Sequence, residues 1–380
     1  MTRWKLGFLA LIAVTPLVFA ACEGKRPPPG SEQPPDAAVG TEKYAAADPK
    51  LAKALQAASS SSAASDRGPP PEGVFESGVA DQRHPKSMPA KVDVISTGSE
   101  PRVALENGAD ADGATSEAAR VKSYGPAFLE VSLQRGRNAF PSVDLGLSIG
   151  PARHDDGGAD WLVGEIKRTQ LARSQPGQLP PGIEKDMATL TGSEARVRVT
   201  PDGRSGEVQS ELAKGTMADL QPITGLLGET IGLATVALPS QAVGADAQWI
   251  AEVRTSLMGL DVLEYRAYRV KGFDADRVHL TMEVRAYVSS REVTFPGAPK
   301  DATVEQFEAE GQGEMNLVRG EFLARKGSFS ERAVVFFRLG GDANARGGQG
   351  AASPGVVPVE LRSQLVFARG EDARALAKSL

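Results

Sequence analysis

The side chain with the most distinctive chemistry is the thiol of Cys22, the single cysteine among 380 residues. A thiol can form a disulfide, bind a soft metal ion or carry a covalent lipid. A disulfide within the chain is excluded because there is no second cysteine. A zinc-type site is disfavoured because only three histidines accompany this thiol. The residues around Cys22 therefore decide its chemistry.

The segment before Cys22 has the layout of an export signal. Arg3 and Lys5 precede an apolar run from Leu6 to Phe19, and the small pair Ala20-Ala21 follows it. A helix needs about 20 apolar residues to span a bilayer, and this run is shorter. The sequence therefore predicts a signal peptide over residues 1–21.

The stretch Phe19-Ala20-Ala21-Cys22 resembles the lipobox of bacterial lipoproteins. The resemblance implies cleavage between Ala21 and Cys22 and acylation of Cys22 with a diacylglyceryl group and a further chain such as palmitate. One chain gives only marginal membrane binding, whereas two or three hold a soluble domain at the membrane. An ordinary signal peptide, with Cys22 unmodified, is the alternative. We expect an exported protein, lipid-anchored to the inner or outer membrane of a bacterial cell envelope.

Residues 22–90 have the composition of a disordered tether. They contain Pro27-Pro28-Pro29, the serine run Ser59–Ser62 and Pro69-Pro70-Pro71, with few large apolar residues. Without apolar burial, nothing offsets the entropy of ordering the chain. A short helix is predicted at Lys50–Ala58, with Pro49 suited to its first turn. We expect this segment to space a folded domain, residues 91–380, away from the membrane.

Three patterns in that domain raise the question of catalysis or metal binding. Ser148 lies in a G-x-S-x-G sequence, but a nucleophile elbow needs a strand-to-helix turn and Ser148 falls inside an alternating strand. The acidic turn His154–Asp160 offers oxygen ligands for Ca²⁺, without EF-hand spacing, which favours a solvated turn. His279, Glu283 and Arg285 lie on the polar face of one strand, which favours a surface ion cluster over an active site.

No enzyme activity, cofactor or metal site is predicted from these patterns. Phosphate-loop and dinucleotide-binding sequences are missing from the chain. The net charge of −5 also argues against a nucleic-acid partner.

The dominant pattern of residues 91–380 is period-two alternation, which predicts antiparallel strands with one face in water. The clearest example runs from Arg277 to Val288. We predict a mainly β, α+β domain: a large antiparallel curved sheet or half-barrel with two or three helices. Helices are predicted at 183–190, 221–234 and 371–380. Strands are predicted near 92–95, 102–105, 129–133, 143–149, 161–171, 194–199, 207–212, 249–253, 263–267, 277–288, 314–321, 333–339 and 359–367.

A faint echo of Leu105…Gly108-Ala109-Asp110 in Leu238…Gly244-Ala245-Asp246 suggests two related halves, 91–235 and 236–380. The passage from Ala237 to Trp249 also resembles the LP-x-x-x-VG-x-G-A-x-W sequence of a bacterial lipoprotein family of unknown function. That resemblance implies an exported β-rich domain and brings no catalytic residues. The predicted layout is also similar to that of periplasmic lipoprotein carriers of acyl chains, an analogy of architecture that does not transfer function.

Two functions are favoured for the domain, and a hydrolase, which would need Ser148, His154 and His279 to converge in a cleft, is a third hypothesis. The first is a non-enzymatic binding or structural domain, facing the periplasm or the cell exterior, whose partner is an envelope protein or another envelope component. The alternative is a carrier that holds a lipid or another hydrophobic ligand between sheet and helices. Trp161 and Trp249 are expected to seal the core at strand starts or to line such a cavity. A large apolar cavity would favour the carrier.

Overall fold

The computed structural model describes residues 70–374, apart from 71, 87, 106–123, 137, 140, 152–159, 172–181, 201–203, 258, 275, 294–301, 322 and 339–354. Cys22, the signal 1–21 and the helix predicted at 50–58 lie outside the described residues. So does nearly all of the acidic turn at 154–160.

The described chain is mainly β, as predicted. Its helices are α1 (Val79–Arg83), α2 (Ile183–Ala188) and α3 (Gln221–Ala234), with a 3₁₀ turn at Ala218–Leu220 leading into α3. Its strands are β1 (Lys91–Ser96), β2 (Gly125–Arg135), β3 (Asn138–Ala139), β4 (Val143–Pro151), β5 (Asp160–Leu171), β6 (Glu194–Val199), β7 (Ser205–Glu211), β8 (Gln248–Leu257), β9 (Leu260–Asp274), β10 (Arg277–Val288), β11 (Thr303–Val318), β12 (Lys326–Arg338) and β13 (Val356–Arg369).

These strands form one open antiparallel sheet in the order β1-β8-β9-β10-β11-β12-β13-β2-β4-β5-β6-β7, with the short β3 beside β2. The row begins with β1 and ends with β7. Its two ends nevertheless approach each other, because the amide of Ala90 donates a hydrogen bond to the carbonyl of Ser205 at 3.3 Å. A sheet whose ends meet in this way must be strongly curved.

The sheet curves around α3. This helix contacts β5, β6 and β7 at one end of the row, and also β8 and β13 from other parts of it. Two glycines permit the close approach. A Cβ on Gly164 of β5 would lie 2.4 Å from Cδ1 of Ile231, and a Cβ on Gly228 of α3 would lie 2.5 Å from Cγ1 of Val208. At these two points only a single side chain separates helix and sheet.

Local interactions explain where helix α3 begins and ends. Pro222 stands in its first turn, where the missing N–H costs nothing. At the other end, the backbone N–H and hydroxyl of Thr235 both donate to the carbonyl of Ile231, at 3.0 and 2.6 Å. Nearly every residue from Ile223 to Ala234 is buried, so the helix forms the centre of the core.

Residues on both faces of β9 are buried. Val262, Glu264, Arg266 and Tyr268 point inward towards the space that α3 occupies, and the alternate residues point outward. The outward residues pack under an N-terminal segment. The side chains of this outer cluster are Phe75, Ala80, Ile250, Leu263, Tyr265 and Ala267.

That N-terminal segment corrects the predicted boundary between tether and domain at residue 91. Val74 pairs with Val288, and α1 lies on the outer face of the sheet. The buried guanidinium of Arg254 holds α1 there: it donates to Asp261 at 2.5 and 2.8 Å and to Asp81 at 3.2 Å. The folded unit therefore includes residues 72–90. The segment has too few apolar residues, chiefly Phe75, to show a periodic pattern.

Other predicted elements differ in detail. The strand predicted at 102–105 is a single bridge between Val103 and Val243, and it follows Pro101, which has no N–H to donate. At the C-terminus, residues 371–374 form a helical turn and the rest of the predicted helix is outside the described residues. Two related halves remain a prediction, and β1 of the first pairs with β8 of the second.

The glycine contacts of α3 give a first testable prediction. Gly228→Ala introduces a Cβ into contact with Val208, whereas Gly225→Ala, on the same helix, meets no atom within 4 Å. Alanine favours a helix by about 1 kcal/mol over glycine, and overpacking costs about 1–3 kcal/mol. We expect Gly228→Ala to be less stable than Gly225→Ala by roughly 2 kcal/mol in urea denaturation. Equal stabilities would contradict the close helix–sheet fit.

The N-terminal boundary gives a second prediction. A chain that begins at Glu72 keeps Phe75 and α1, and we expect its thermal midpoint to match that of the full-length protein. A chain that begins at Lys91 exposes the outer cluster around Leu263 and Tyr265. The loss of Phe75 burial alone amounts to about 2–3 kcal/mol, so this chain should melt earlier and bind a hydrophobic dye. Identical melting of both chains would place the boundary at 91 after all.

Candidate functional site

Three carboxylates converge in the interior where α3 meets the sheet. They belong to Glu229 of α3, Glu264 of β9 and Glu331 of β12, and one oxygen from each lies within 4.8 Å of the others. Their exposed fractions are 3%, 0% and 6%, so water is largely excluded from all three. Charged groups are almost never buried to this extent without compensation, so this acidic cluster is the strongest candidate site in the described residues.

The register and curvature of the sheet bring the cluster together. Arg266 of β9 is paired with Val284 of β10, Val284 with Gly311 of β11, and Gly311 with Glu331 of β12. Arg266 and Glu331 are therefore at the same level of the sheet but three strands apart. On a flat sheet they would be separated by about 14 Å. The curvature around α3 closes this gap, and Glu229 reaches the group from the helix.

Arg266 connects the cluster to the end of α3. Its guanidinium donates to Oε2 of Glu264 from Nε at 2.7 Å, and its Nη2 lies 2.6 Å from the same oxygen. Its Nη1 donates to the carbonyl of Gly232 at 3.0 Å. Gly232 is in the last turn of the helix, where carbonyls lack intrahelical partners and cations are favoured. Arg266 is itself only 2% exposed.

The cluster carries an excess of negative charge. Three carboxylates and one guanidinium sum to two negative charges when all are ionised. The pKa of Glu229 is raised to about 8, chiefly by burial and also by Glu264, while Arg266 opposes the shift. Burial and the neighbouring carboxylates also raise the pKa of Glu331 well above its ordinary value. Burial alone would lower the pKa of Arg266, but Glu264 and its other neighbours raise it, so this side chain stays charged.

Several polar atoms in the cluster lack hydrogen bonds. Oε1 of Glu229, of Glu264 and of Glu331 has no partner among the described residues. The hydroxyl of Tyr268, two positions after Arg266 on the inner face of β9, also has none. Burial raises the pKa of Tyr268, and the neighbouring guanidinium of Arg266 opposes the shift. The acidic cluster therefore contains several oxygen atoms that could serve as metal ligands, and oxygen ligands suit hard cations better than zinc.

The inner face on either side of the acidic cluster is apolar. Val262, Ala286 and Val335 lie on one side, and Met282 and Phe329 lie on the other. On this second side there is a cavity of about 30 Å³. The side chains around it include Thr230, Leu233, Met282, Met315, Phe329 and Phe367. A cavity of this size holds a water molecule or two, far less than an acyl chain occupies.

The two tryptophans named from the sequence are both buried, and neither lines this cavity. Trp249 stacks on Tyr268 with ring centroids 5.3 Å apart, and its Nε1 donates to the carbonyl of Ala237 at 2.9 Å. Trp161 is adjacent to the inward-facing Leu162 and points to the other side of β5. The structure therefore places Trp249 in the packed core and Trp161 outside it.

The other sequence candidates do not come together. Ser148 lies within β4, which continues to Pro151 as a strand, so its surroundings are not those of a nucleophile elbow. His279 lies on the outer face of β10, with Nδ1 2.7 Å from Oδ1 of Asn316. β4 and β10 are five positions apart in the row, so Ser148 and His279 are distant.

Sequence reasoning missed the acidic cluster. The signal that could have revealed it is in β9, where Glu264 and Arg266 interrupt an otherwise apolar run at neighbouring positions of one face. Glu229 similarly interrupts the apolar sequence of α3. Glu331 gives no local signal, because its proximity depends on strand order.

The comparisons with known proteins leave the chain without a relative from which to transfer function. No protein-family model matches it, and a search of curated proteins gave no significant match. Among the described residues, no helix combines the length and apolar character needed to cross a bilayer.

The raised pKa of Glu229 gives a third prediction. Its pKa is about 8 when folded and about 4.5 when unfolded, so the folded state binds the extra proton between these values. Stability must then fall as the pH rises through this window, by up to ~1.4 kcal/mol per unit. With a chelator present, we expect urea denaturation of Glu229→Gln to show a shallower fall and greater stability than the wild type above about pH 8.

Glu360→Gln is the matched control, because Arg332 and Arg362 lower the pKa of Glu360 at the surface. This variant should keep the pH slope of the wild type. A Glu229→Gln protein with an unchanged slope would show that Glu229 is not a buried, proton-holding group.

Proposed function

We propose that this protein is an exported lipoprotein, anchored to a membrane of the bacterial envelope through acylated Cys22. Its β domain is non-enzymatic and binds an envelope component through its outer surface. The anchor is supported by the sequence alone: the charged start, the apolar run, and Ala21 before Cys22. A tether of about 50 residues, between Cys22 and Glu72, would span roughly 40 Å as a flexible chain.

One observation favours surface binding over transport of a ligand in the interior. The inner face of the sheet is occupied by α3, which meets it at glycine contacts, and the cavity beside it near Met282 and Phe329 is small. Drug-sized ligands require cavities of about 300 Å³ or more. The described interior therefore supports a packed binding or structural domain.

The carrier is the second candidate, and it requires α3 to leave the sheet. Arg266 opposes such a movement, because its bond to Gly232 fixes the end of the helix. Displacing α3 would also expose the apolar side chains that it buries, including Leu227 and Ile231. The packing thus makes the carrier the less favoured function.

The anchor gives a fourth prediction. When the full-length gene is expressed in a bacterium fed an alkyne-labelled fatty acid, the wild-type protein should become labelled and fractionate with membranes. Cys22→Ser should remain unlabelled, because the acceptor thiol is lost. Ser148→Ala serves as the control, since this strand residue has no role in lipidation, and it should label normally.

A wild-type protein that stays unlabelled and soluble would exclude the anchor. Organic extraction of the purified Cys22→Ser protein separates the two functions of the domain. A stoichiometric non-covalent lipid in the extract would support the carrier, and a lipid-free protein would support the packed domain.

A further inference from the structure

We infer that Glu229, Glu264 and Glu331 form a buried site for one hard divalent cation of the calcium class. This inference does not depend on the lipid anchor or on surface binding. It rests on the charge, the geometry and the unused oxygen donors of the acidic cluster.

The charge balance requires two positive charges. Arg266 neutralises Glu264, with which it shares two close contacts, and leaves the charges of Glu229 and Glu331. A net charge of −2 is not stable in a site from which water is excluded. Two protons or one divalent cation would restore neutrality.

The geometry favours a shared cation over two protons. A proton on one carboxyl group is stabilised when a second oxygen accepts it, within about 3 Å. Within the part of the chain that the structure describes, Oε1 of each glutamate of the cluster has no hydrogen-bond partner, although one oxygen from each residue lies within 4.8 Å of the others. Calcium binds oxygens at about 2.3–2.6 Å, so two of its ligands can be separated by up to about 5 Å. Oxygens that all lie within 4.8 Å of one another are compatible with the ligands of a common ion.

A second observation points to the same site. Tyr268 is completely buried on the face of β9 that carries Glu264 and Arg266, and its hydroxyl has no hydrogen-bond partner of good geometry among the described residues. Bidentate binding by Glu229 and Glu331, with one oxygen each from Glu264 and Tyr268, would give the ion six oxygen ligands. These six reach the lower limit of calcium's usual six to eight oxygen ligands. Magnesium retains bound water, so a dry cluster suits calcium better.

Arg266 has a positioning role in this site. It holds Oε2 of Glu264, while Oε1 of that carboxylate has no partner among the residues that the structure describes. Partners of this kind orient metal ligands in many sites. Because Arg266 also binds the carbonyl of Gly232, ion binding and the seating of α3 are connected through one side chain. The ion would enter as the chain folds or when α3 opens locally.

Calorimetry on the full-length protein, purified in detergent and stripped with a chelator, gives the fifth prediction. We expect one Ca²⁺ per chain and a higher thermal midpoint with Ca²⁺ than with Mg²⁺. Glu229→Gln and Glu331→Gln should each weaken Ca²⁺ binding by about tenfold or more, since loss of even an outer partner has that effect. Glu360→Gln, at the surface, should bind like the wild type.

The Ca²⁺ surrogate Tb³⁺ tests the wild-type protein directly, which covers the case in which a glutamine variant does not fold. Its luminescence should be sensitised by the adjacent Tyr268 and Trp249 and should be reversed by excess Ca²⁺. Failure of the wild type to bind Ca²⁺, or unchanged binding in both folded glutamine variants, would overturn the site. Absence of sensitised Tb³⁺ luminescence would overturn it as well.

Discussion

The described fold depends on the contact between the buried Arg266 guanidinium and the end of helix α3. This side chain satisfies a helix carbonyl at Gly232 and a carboxylate oxygen at Glu264 at the same time. A buried guanidinium without such partners would destabilise the protein by several kcal/mol. Loss of Glu264 would leave the charge of Arg266 buried and uncompensated, and loss of Arg266 would leave the carbonyl of Gly232 unpaired. The position of α3 is thus fixed by electrostatic necessity in addition to apolar burial.

The shape of the sheet follows from what it encloses. A helix is about 10 Å across, and strands at both ends of the row contact α3, so the sheet must bend around it. Gly164 and Gly228 reduce the distance between the two layers at the points of closest approach. The same bending brings Glu331 to Arg266, three strands away. Core packing and the acidic cluster are therefore two consequences of one curvature.

Much of the fold could be predicted from local sequence, whereas the candidate site could not. The bounds of α3 and of β10 were predicted closely, because Pro222 marks a helix start and the alternation from Arg277 to Val288 is regular. In β9, alternation predicted a strand near 263–267 without assigning its faces. Leu263, Tyr265 and Ala267 are buried under the N-terminal segment, and the face towards α3 carries Glu264 and Arg266. Periodicity separates the two faces of a strand but does not show which face meets a helix. The order of the strands in the sheet cannot be predicted from a single sequence.

The order of strands in the row has a consequence for how the chain acquires its structure. β1 pairs with β8, so Lys91 cannot pair until Glu252 has been synthesised. β2 pairs with β13, so Leu129 cannot pair until Phe367 has been synthesised. Such distant pairings have a large loop-closure entropy and make folding slow. The sheet becomes continuous only when its last strand joins β12 to β2. A nascent chain that ends before Val356 would leave two partial sheets with open edges, around a helix that neither could enclose alone.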